Sequence, residues 1–368
     1  MPEPSSQLQI ANRKLQMIVL PVVAGIGNAI MAEPMVRQLR VGLPAARIVV
    51  LAMIPPMSAV FGGIRGVETQ VFGRGMKNLL KSVRTTRALR PDVYLIPFPS
   101  NRWQYNALAT ASGAKRVVLH DYPVGRLTAL NVLHRDRVSG DRGLHDVVQN
   151  LRLLEALGLK PDYADTPRFT PTPAEHAAAE ASLAGIGLHD CPFVVVHAGS
   201  AKTILAAAKR WPSEKYATLV QQIIKETGQN VLIVEGPDEA GVAAEIVGHA
   251  TDLGRIHTLK LTGPLGESAA LLARSSFYVG TDSGLAHLAA AVGRRAVTLF
   301  APADPDRVSP AGNRDLVVQP PDGRAASFLY PWQATKPKLP PDELGRINTI
   351  TVEQVMAVVR RAAGTTTD

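Results

Sequence analysis

The sequence predicts two doubly wound α/β domains in tandem, each a mostly parallel sheet flanked by helices and facing a central cleft. Three observations predict it. The chain has 368 residues, more than one hydrophobic core usually organises. Apolar runs of strand length alternate with helical patterns through both halves, as in sheets built from crossover connections. Between the halves, Lys160–Pro173 holds four prolines and no periodic pattern, which marks a linker. The expected division is therefore 1–160, a linker over 161–173, a second domain over 174–348, and a terminal helix within 349–368 that packs back on the first domain.

The elements follow in order. Met17–Val23 is a continuous apolar run, as a strand buried on both faces requires. Pro21 within it argues for an edge position or a bulge. The turn Ala24-Gly25-Ile26-Gly27-Asn28 leads to an amphipathic helix over 29–40. Strands are expected at 47–53, 92–97 and 116–120, with helices at 77–89 and 103–111 between them. The stretch 121–142, rich in Arg, His and Gly, reads as a long loop. A helix over 145–157 ends at Gly158, a good C-cap. Beyond the linker come a helix at 174–184 and strands at 193–197, 230–235, 257–261, 277–280 and 296–300. Helices at 213–226, 239–250, 267–273 and 285–292 alternate with those strands. Residues 316–341, with six prolines, read as loop, and a last helix over 352–363 is introduced by Thr349-Ile350-Thr351.

Composition narrows the function classes. Hydrophobic residues form 46% and charged residues 19% of the chain, which suits a globular fold. The single Cys191 excludes an internal disulfide and fits a reducing compartment. No run approaches the roughly 20 apolar residues that span a bilayer, and Met1–Gln9 lacks the apolar centre of a signal peptide. A cytoplasmic location is expected, with peripheral contact at the inner face of the plasma membrane. The net charge of +9 is uneven: residues 1–160 carry 21 Lys/Arg against 9 Asp/Glu, and the remainder 19 against 22. A basic first half points to an anionic partner such as a phosphorylated acceptor or membrane. No zinc-finger spacing or aromatic RNA-binding signature accompanies the charge, so nucleic acid is not expected.

The segment Phe277-Tyr278-Val279-Gly280-Thr281-Asp282-Ser283-Gly284-Leu285-Ala286-His287 carries the most chemistry. An apolar strand runs into a Gly/Ser turn that opens directly onto a helix, and such a turn points free backbone N–H groups and the positive end of the helix dipole at a ligand. A diphosphate suits it, and His287, one turn into the helix, can face the same ligand. Asp282 would repel phosphate and is better placed to accept from sugar hydroxyls or from the helix N-terminus. A helix simply capped by Asp282 or Ser283 is the plainer alternative. Two further loops bear on the choice. His197-Ala198-Gly199-Ser200 is a small-residue turn after a strand, followed by Lys209-Arg210-Trp211-Pro212 before a helix. There Lys209 can meet a phosphate or be a solvated cation, and Trp211 can anchor the core. Gly236-Pro237-Asp238-Glu239 offers a carboxylate for ribose or base donors, or an N-cap by Asp238.

Together these motifs resemble those of glycosyltransferase family 9, the heptosyltransferases of lipopolysaccharide core synthesis. Leu299-Phe300-Ala301-Pro302-Ala303-Asp304-Pro305, with Arg307 and Pro310, extends the likeness, which is most specific over 193–312. The resemblance implies the GT-B fold, with two Rossmann-like domains, and an inverting, metal-independent transferase. It also implies ADP-heptose as donor and an anionic glycan or glycolipid, such as lipopolysaccharide core, as acceptor. No cofactor or metal is implied. By resemblance, Gly199, Ser200, Lys209, Asp238, Asp282, Ser283, Gly284 and His287 lie around the donor. The loop between His197 and Lys209 is several residues longer than the family pattern.

Inverting transfer needs a general base for the acceptor hydroxyl. The family places an aspartate in the first strand-to-helix turn, where this chain reads Gly25-Ile26-Gly27-Asn28 before Ala29-Ile30-Met31-Ala32-Glu33-Pro34. An amide at Asn28 is no general base near neutral pH; its own residue type suits an N-cap of the helix expected at 29. Asp121 and His120, after the strand at 116–120, are the alternative bases. Glu33 lies about 140° around an ideal helix from Asn28 and points elsewhere. Two other functions stay open: a non-catalytic nucleotide-sugar-binding protein, because of Asn28, and a nucleotide-sugar epimerase of the same architecture. On the acceptor side, Arg65, Arg74, Lys77, Lys81 and Arg84 form one basic cluster. Arg126, Arg135, Arg137 and Arg142 form another with His134 and His145, which lack convincing partners for a metal.

Overall fold

A computed structural model describes residues 15–99, 103–122, 130–141, 143–199, 208–237, 239, 241–324 and 341–364. They form two compact units, one over 15–167 and one over 168–324 with 341–364. The unit boundary therefore falls inside the proline-rich stretch, and its first part is tied to the N-terminal unit. Arg37 pairs with the Asp165 carboxylate at 2.8 Å, and Gln38 exchanges hydrogen bonds with the backbone of Asp162.

The N-terminal unit is a six-stranded parallel sheet in the order β3-β2-β1-β4-β5-β6. Its strands are β1 (Met17–Val22), β2 (Arg47–Ala52), β3 (Val67–Val71), β4 (Val93–Leu95), β5 (Arg116–Asp121) and β6 (Asp136–Ser139). Its helices are α1 (Ile26–Gly42), α2 (Pro55–Ala59), α3 (Met76–Leu89), α4 (Trp103–Ala111) and α5 (Asp146–Arg152). β1 is central, paired with β2 and β4, which corrects the edge position expected from Pro21. Alternation along a parallel ladder explains the tolerance. The Met17 carbonyl accepts from Asp92 on the β4 side and the Val22 carbonyl accepts from Met53 on the β2 side, so the Pro21 nitrogen faces β4. The pairing between β1 and β4 joins Ile18 to Val93 and Val19 to Tyr94 and stops before Pro21.

Two further expectations change. The stretch expected as loop over 121–142 contains an edge strand, β6, which pairs with β5 from Val118 to Asp121. α1 begins at Ile26 rather than 29, because the Gly25 carbonyl already accepts from the Ala29 amide at 2.9 Å. Asn28 is therefore inside the first turn and is not the N-cap, a position held by Gly25.

The C-terminal unit repeats the topology, with strand order β12-β11-β10-β7-β8-β9, all parallel. Its strands are β7 (Phe193–His197), β8 (Asn230–Glu235), β9 (Ile256–Lys260), β10 (Tyr278–Thr281), β11 (Ala296–Leu299) and β12 (Val317–Val318). α6 (Pro173–Gly185) opens the unit with a capping box between Thr172 and Glu175, an arrangement that contributes about 1 kcal/mol. α7 (Ser213–Thr227), α8 (Val242–His249), α9 (Leu265–Arg274), α10 (Gly284–Ala291) and the short α11 (Pro305–Val308) follow. The terminal helix α12 (Val352–Ala363) carries a second capping box, Thr351 with Gln354. It was expected on the N-terminal domain. Instead it supplies Val355, Met356, Val358 and Val359 to the core that Val194, Val196, Leu219, Ile233, Val297 and Leu299 form in the C-terminal unit.

Candidate functional site

In the C-terminal unit the connections leave β7 in one direction for β8 and β9 and return to its other side for β10. The carboxyl ends of β7 and β10 thus flank a topological switch point, where doubly wound sheets bind ligands. Continuous apolar sequence buries both strands, and each ends in polar residues at the same level, with Gly280 in register with His197.

β10 passes through Thr281 to Asp282 and Ser283, and α10 starts at Gly284. Ser283 occupies the N-cap position, yet its own side chain makes no capping hydrogen bond. This corrects the simply capped helix: the first-turn N–H groups keep their capacity for an external acceptor, backed by the helix dipole. The Ser283 hydroxyl turns instead to His197 Nδ1 at 3.3 Å and the Tyr278 hydroxyl at 3.4 Å.

His197 is the hinge of a buried polar chain. Its Nε2 lies 2.8 Å from Glu239 Oε2, and its Nδ1 lies 3.2 Å from the Tyr278 hydroxyl. Glu239 also accepts from the Gly236 amide at 2.8 Å. Burial raises the Glu239 carboxyl, but the His197 hydrogen bond, the Gly236 amide and the nearby Arg210 outweigh it and hold its pKa below the ordinary value of 4.5. An ionised Glu239 keeps the His197 proton on Nε2 and leaves Nδ1 as an acceptor. Two hydroxyls, Tyr278 and Ser283, then face one lone pair, and the one that does not donate to Nδ1 is free to donate to the other hydroxyl or to a further partner. Burial pushes the Tyr278 phenol well above 10, so it stays protonated.

Two glycines are fixed by this packing. A Cβ on Gly280 would meet the His197 carbonyl oxygen and the Tyr278 hydroxyl at 2.5 Å, and a Cβ on Gly199 would collide with the Glu239 carboxylate. The Gly199 carbonyl also accepts from the Thr281 hydroxyl at 2.8 Å, locking the loop after β7 onto the end of β10.

On the other side of the turn, Lys209 Nζ meets Asp282 Oδ2 at 2.5 Å and its main-chain oxygen at 3.4 Å. The Asp282 side chain is 9% exposed and that of Lys209 24%, so the pair is shielded without being sealed off. The aspartate expected to serve sugar hydroxyls or the helix N-terminus thus holds a lysine against that N-terminus. Trp211 is the core anchor: it is buried, and its indole N–H donates to the Ile350 carbonyl at 3.0 Å.

The structure brings together Gly199, Lys209, Asp282, Ser283 and Gly284 of the residues expected at the donor. His287 is buried in the first turn of α10. Ser200 and Asp238 lie outside the described residues. α8 begins at Val242 rather than 239, and its N-terminus is served by Glu235, which accepts from the Ala243 amide at 2.6 Å. His197, Tyr278 and Glu239 are members that sequence reasoning did not single out. The available signal was a histidine closing an otherwise apolar strand.

The N-terminal unit offers fewer charged groups. Asn28 is half-buried in the first turn of α1. Glu33 is buried and bound to Arg37 at 2.8 Å, so it is engaged in structure. His120 is fully buried, edge-on to Phe98 with ring centroids 4.9 Å apart. Burial, helped by the charge of Arg152, pushes its pKa down to about 3, so it is a neutral imidazole. Asp121, the last residue of β5, lies 3.6 Å from Arg137 Nε and stays partly open to solvent. In the second basic stretch, His145 caps α5 and His134 is buried against the Asn106 carbonyl; Arg126 and Arg142 lie outside the described residues. Among the described residues no cluster of His, Cys, Asp or Glu could hold a metal ion, and no helix is long and apolar enough to cross a membrane.

Residues 108–332 match the model of glycosyltransferase family 9 (heptosyltransferase). The chain belongs to that family. The match begins beyond Asn28 and covers the whole Lys209–Asp282 site. Lipopolysaccharide heptosyltransferase 3 of Escherichia coli K12 is 25% identical over 297 residues, 76% of this chain and 80% of that protein. Lipopolysaccharide heptosyltransferase 2 of the same strain is 36% identical over 115 residues, about a third of each chain. The fold agrees with that of the E. coli ADP-heptose lipopolysaccharide heptosyltransferase II structure, at a TM-score of 0.70 and 20% identity over 95% of this chain and 98% of that one. A family 9 glycosyltransferase structure from Veillonella parvula gives a TM-score of 0.76 at 17% identity, covering 95% and 98%. This glycosyltransferase thus has the GT-B type of fold, two doubly wound parallel sheets.

Proposed function

We propose that the protein transfers a heptose from ADP-heptose, with inversion and without a metal ion, to an anionic glycolipid such as lipopolysaccharide core. The observation that carries this reading is the Lys209–Asp282 pair at the uncapped N-terminus of α10 in a family 9 chain. A diphosphate there accepts from the helix N–H groups while Lys209 turns toward the charge that develops on the leaving group. Asp282 holds the ammonium in place and keeps Lys209 from resting against the wrong oxygen. Positive charge supplied by protein groups does the work that a divalent cation does in metal-dependent transferases. Asp121 is the proposed base, because it is a partly exposed carboxylate at the carboxyl end of a strand, 3.6 Å from Arg137 Nε. The acceptor is held at a membrane surface, which the protein meets peripherally from the cytoplasmic side.

A second reading has its own observation: Asn28 stands in the first turn of α1, Glu33 is held by Arg37, and His120 is a buried neutral ring. A protein built this way can bind a nucleotide sugar without turning it over. Incubation with ADP-heptose and heptose-deficient lipopolysaccharide, with and without EDTA, separates the readings. Acceptor-dependent ADP release that survives EDTA, with an inverted anomeric product, supports transfer. Tight ADP-heptose binding with no ADP release in the presence of acceptor supports the binding protein. Altered sugar stereochemistry without ADP release would indicate an epimerase.

A further inference from the structure

α3 differs from every other long helix of the chain in its charge. Between Glu68 and Asp92 the sequence has no acidic residue and six cations: Arg74, Lys77, Lys81, Arg84, Arg87 and Arg90. All six are exposed. None makes an ion pair among the described residues, whereas Arg37, Arg47, Lys115, Arg116 and Arg137 of the same unit each face a carboxylate.

Their arrangement is directional. Within α3 the exposed positions are Lys77, Leu80, Lys81, Arg84, Arg87 and Ala88, which at 100° per residue fall in an arc of about 120°. Ser82 and Thr86, on the opposite side, are buried. Leu80 is 54% exposed and sits amid the cations. The first turn holds no acid, and Arg74 and Lys77 oppose the helix dipole there, a placement that helix stability does not favour. α12 shows the ordinary solution: Glu353 lies in its first turn, Arg360 and Arg361 in its last, and Arg360 pairs with Glu226 and Glu353.

We infer that the exposed face of α3 is a docking surface for an anionic lipid bilayer. Exposed positions along one helix face spread their charges over a surface, which matches a charged plane better than a single phosphate. Unpaired cations lose little by moving to lipid phosphates, and each adds to the attraction. Leu80 enters the headgroup region between them, as in interfacial amphipathic helices. Nucleic acid fits less well, because the exposed face carries no aromatic ring to stack on a base and no amide to read one. The inference deepens the glycolipid-acceptor reading, by placing the membrane on the N-terminal unit, and it is testable without any acceptor.

The test is co-sedimentation of the full chain with vesicles of phosphatidylcholine alone or with about 30 mol % phosphatidylglycerol, over a salt series that shortens the Debye length. Binding to the anionic vesicles only, weakening steeply with salt, is expected. The variant Lys77→Gln/Lys81→Gln/Arg84→Gln/Arg87→Gln should bind at least about tenfold more weakly, given the contribution of each cation near a charged surface. Leu80→Ser should weaken binding a few-fold, and Arg84→Lys/Arg87→Lys should leave it intact. The thermal transition and ADP affinity of all variants should equal those of the parent protein. Equal binding to neutral vesicles, or unchanged binding by the quadruple variant, overturns the inference, as does preferential binding to duplex DNA or to RNA. If the quadruple variant misfolds, the salt series and the Leu80→Ser and Arg→Lys variants still decide. Failure of the unmodified protein to bind ADP would count against the donor site and leave the vesicle result standing.

Discussion

At the switch point of the C-terminal unit, the loops after the two central strands hold an ion pair, Lys209–Asp282, and a chain of hydrogen bonds through Glu239, His197, Tyr278 and Ser283. The N-terminal unit has the same strand order, but at its switch point Asn28 lies in the first turn of α1, and the loop after β4 is fixed by Phe98, whose amide donates to the buried Asn150. His120 and Tyr122 pack against the Phe98 ring. One frame has been furnished in two ways. The C-terminal end keeps charged groups partly shielded, while the N-terminal end presents an amide and apolar ring contacts. Topology decides where a ligand can sit, and the residues at those two loops decide what the ligand can be.

The comparison breaks first at Asp282. Asp282→Ala should lower donor-dependent turnover about 10²-fold or more, since truncating one member of a shielded charge pair leaves the other uncompensated. Steady-state ADP release measures it, and a near-parental rate would remove the C-terminal switch point as the donor site.

Acid should separate the two units. His120 titrates near 3 when folded and near 6.5 when unfolded, so the unfolded chain takes the proton first. The stability it contributes is complete above about pH 6.5 and is lost as pH falls toward 3, at about 1.4 kcal/mol per pH unit. Glu239, with its folded pKa below 4.5, contributes stability that is present above 4.5 and is lost only as pH falls through its lowered folded value. Between pH 6.5 and 4.5 the opening free energy from hydrogen exchange, corrected for the slower intrinsic exchange in acid, should therefore fall in the N-terminal unit and hold in the C-terminal one. His120→Leu should flatten that dependence; an unchanged slope would show that another group is responsible.

The N-terminal furnishing can also be reversed. Asn28→Asp places an acid in the first turn of α1, where the dipole favours it by about 0.3–1 kcal/mol. It should raise turnover by up to about tenfold, as a restored general base would, with donor affinity unchanged. A large loss would instead assign the amide a specific role. The smallest effect belongs to Tyr278→Phe. Without that hydroxyl, Ser283 must satisfy His197 Nδ1 and withdraws its own proton from a ligand. ADP binding measured by calorimetry should weaken a few-fold, about 0.5–1.5 kcal/mol. Equal affinity would show that Ser283 does not depend on the relay.

How much of this was legible follows from which contacts are local. β1, β2, β7, β8, β10 and β11 are legible because burial on both faces demands an unbroken apolar run. The edge strands β3, β6 and β12 are not, since Val67-Glu68-Thr69-Gln70-Val71 is partly polar and half-exposed and Val317–Val318 is only two residues long. The start of α1 is obscured by Gly25 and Gly27, which read as a turn. In the site, the Ser/Gly opening of α10 and the family's Lys and Asp are visible in the sequence. The pairing of Lys209 with Asp282 spans 73 residues and that of His197 with Glu239 spans 42, and both depend on which strands lie side by side. No local pattern encodes that adjacency.

The contact between Trp211 and Ile350 has a consequence for how the protein is made. Trp211 lies two residues from Lys209, and its partner Ile350 stands at the entrance to α12, where Lys215 also reaches the Asn348 and Ile350 carbonyls. During synthesis the described residues 15–167 can gather into their unit as they leave the ribosome. The C-terminal sheet, by contrast, must wait with one side of its core uncovered until α12 arrives. The lysine paired with Asp282 is thus set in place with the help of a segment 139 residues beyond Trp211, so the ion pair is completed only after that segment has been made and has docked.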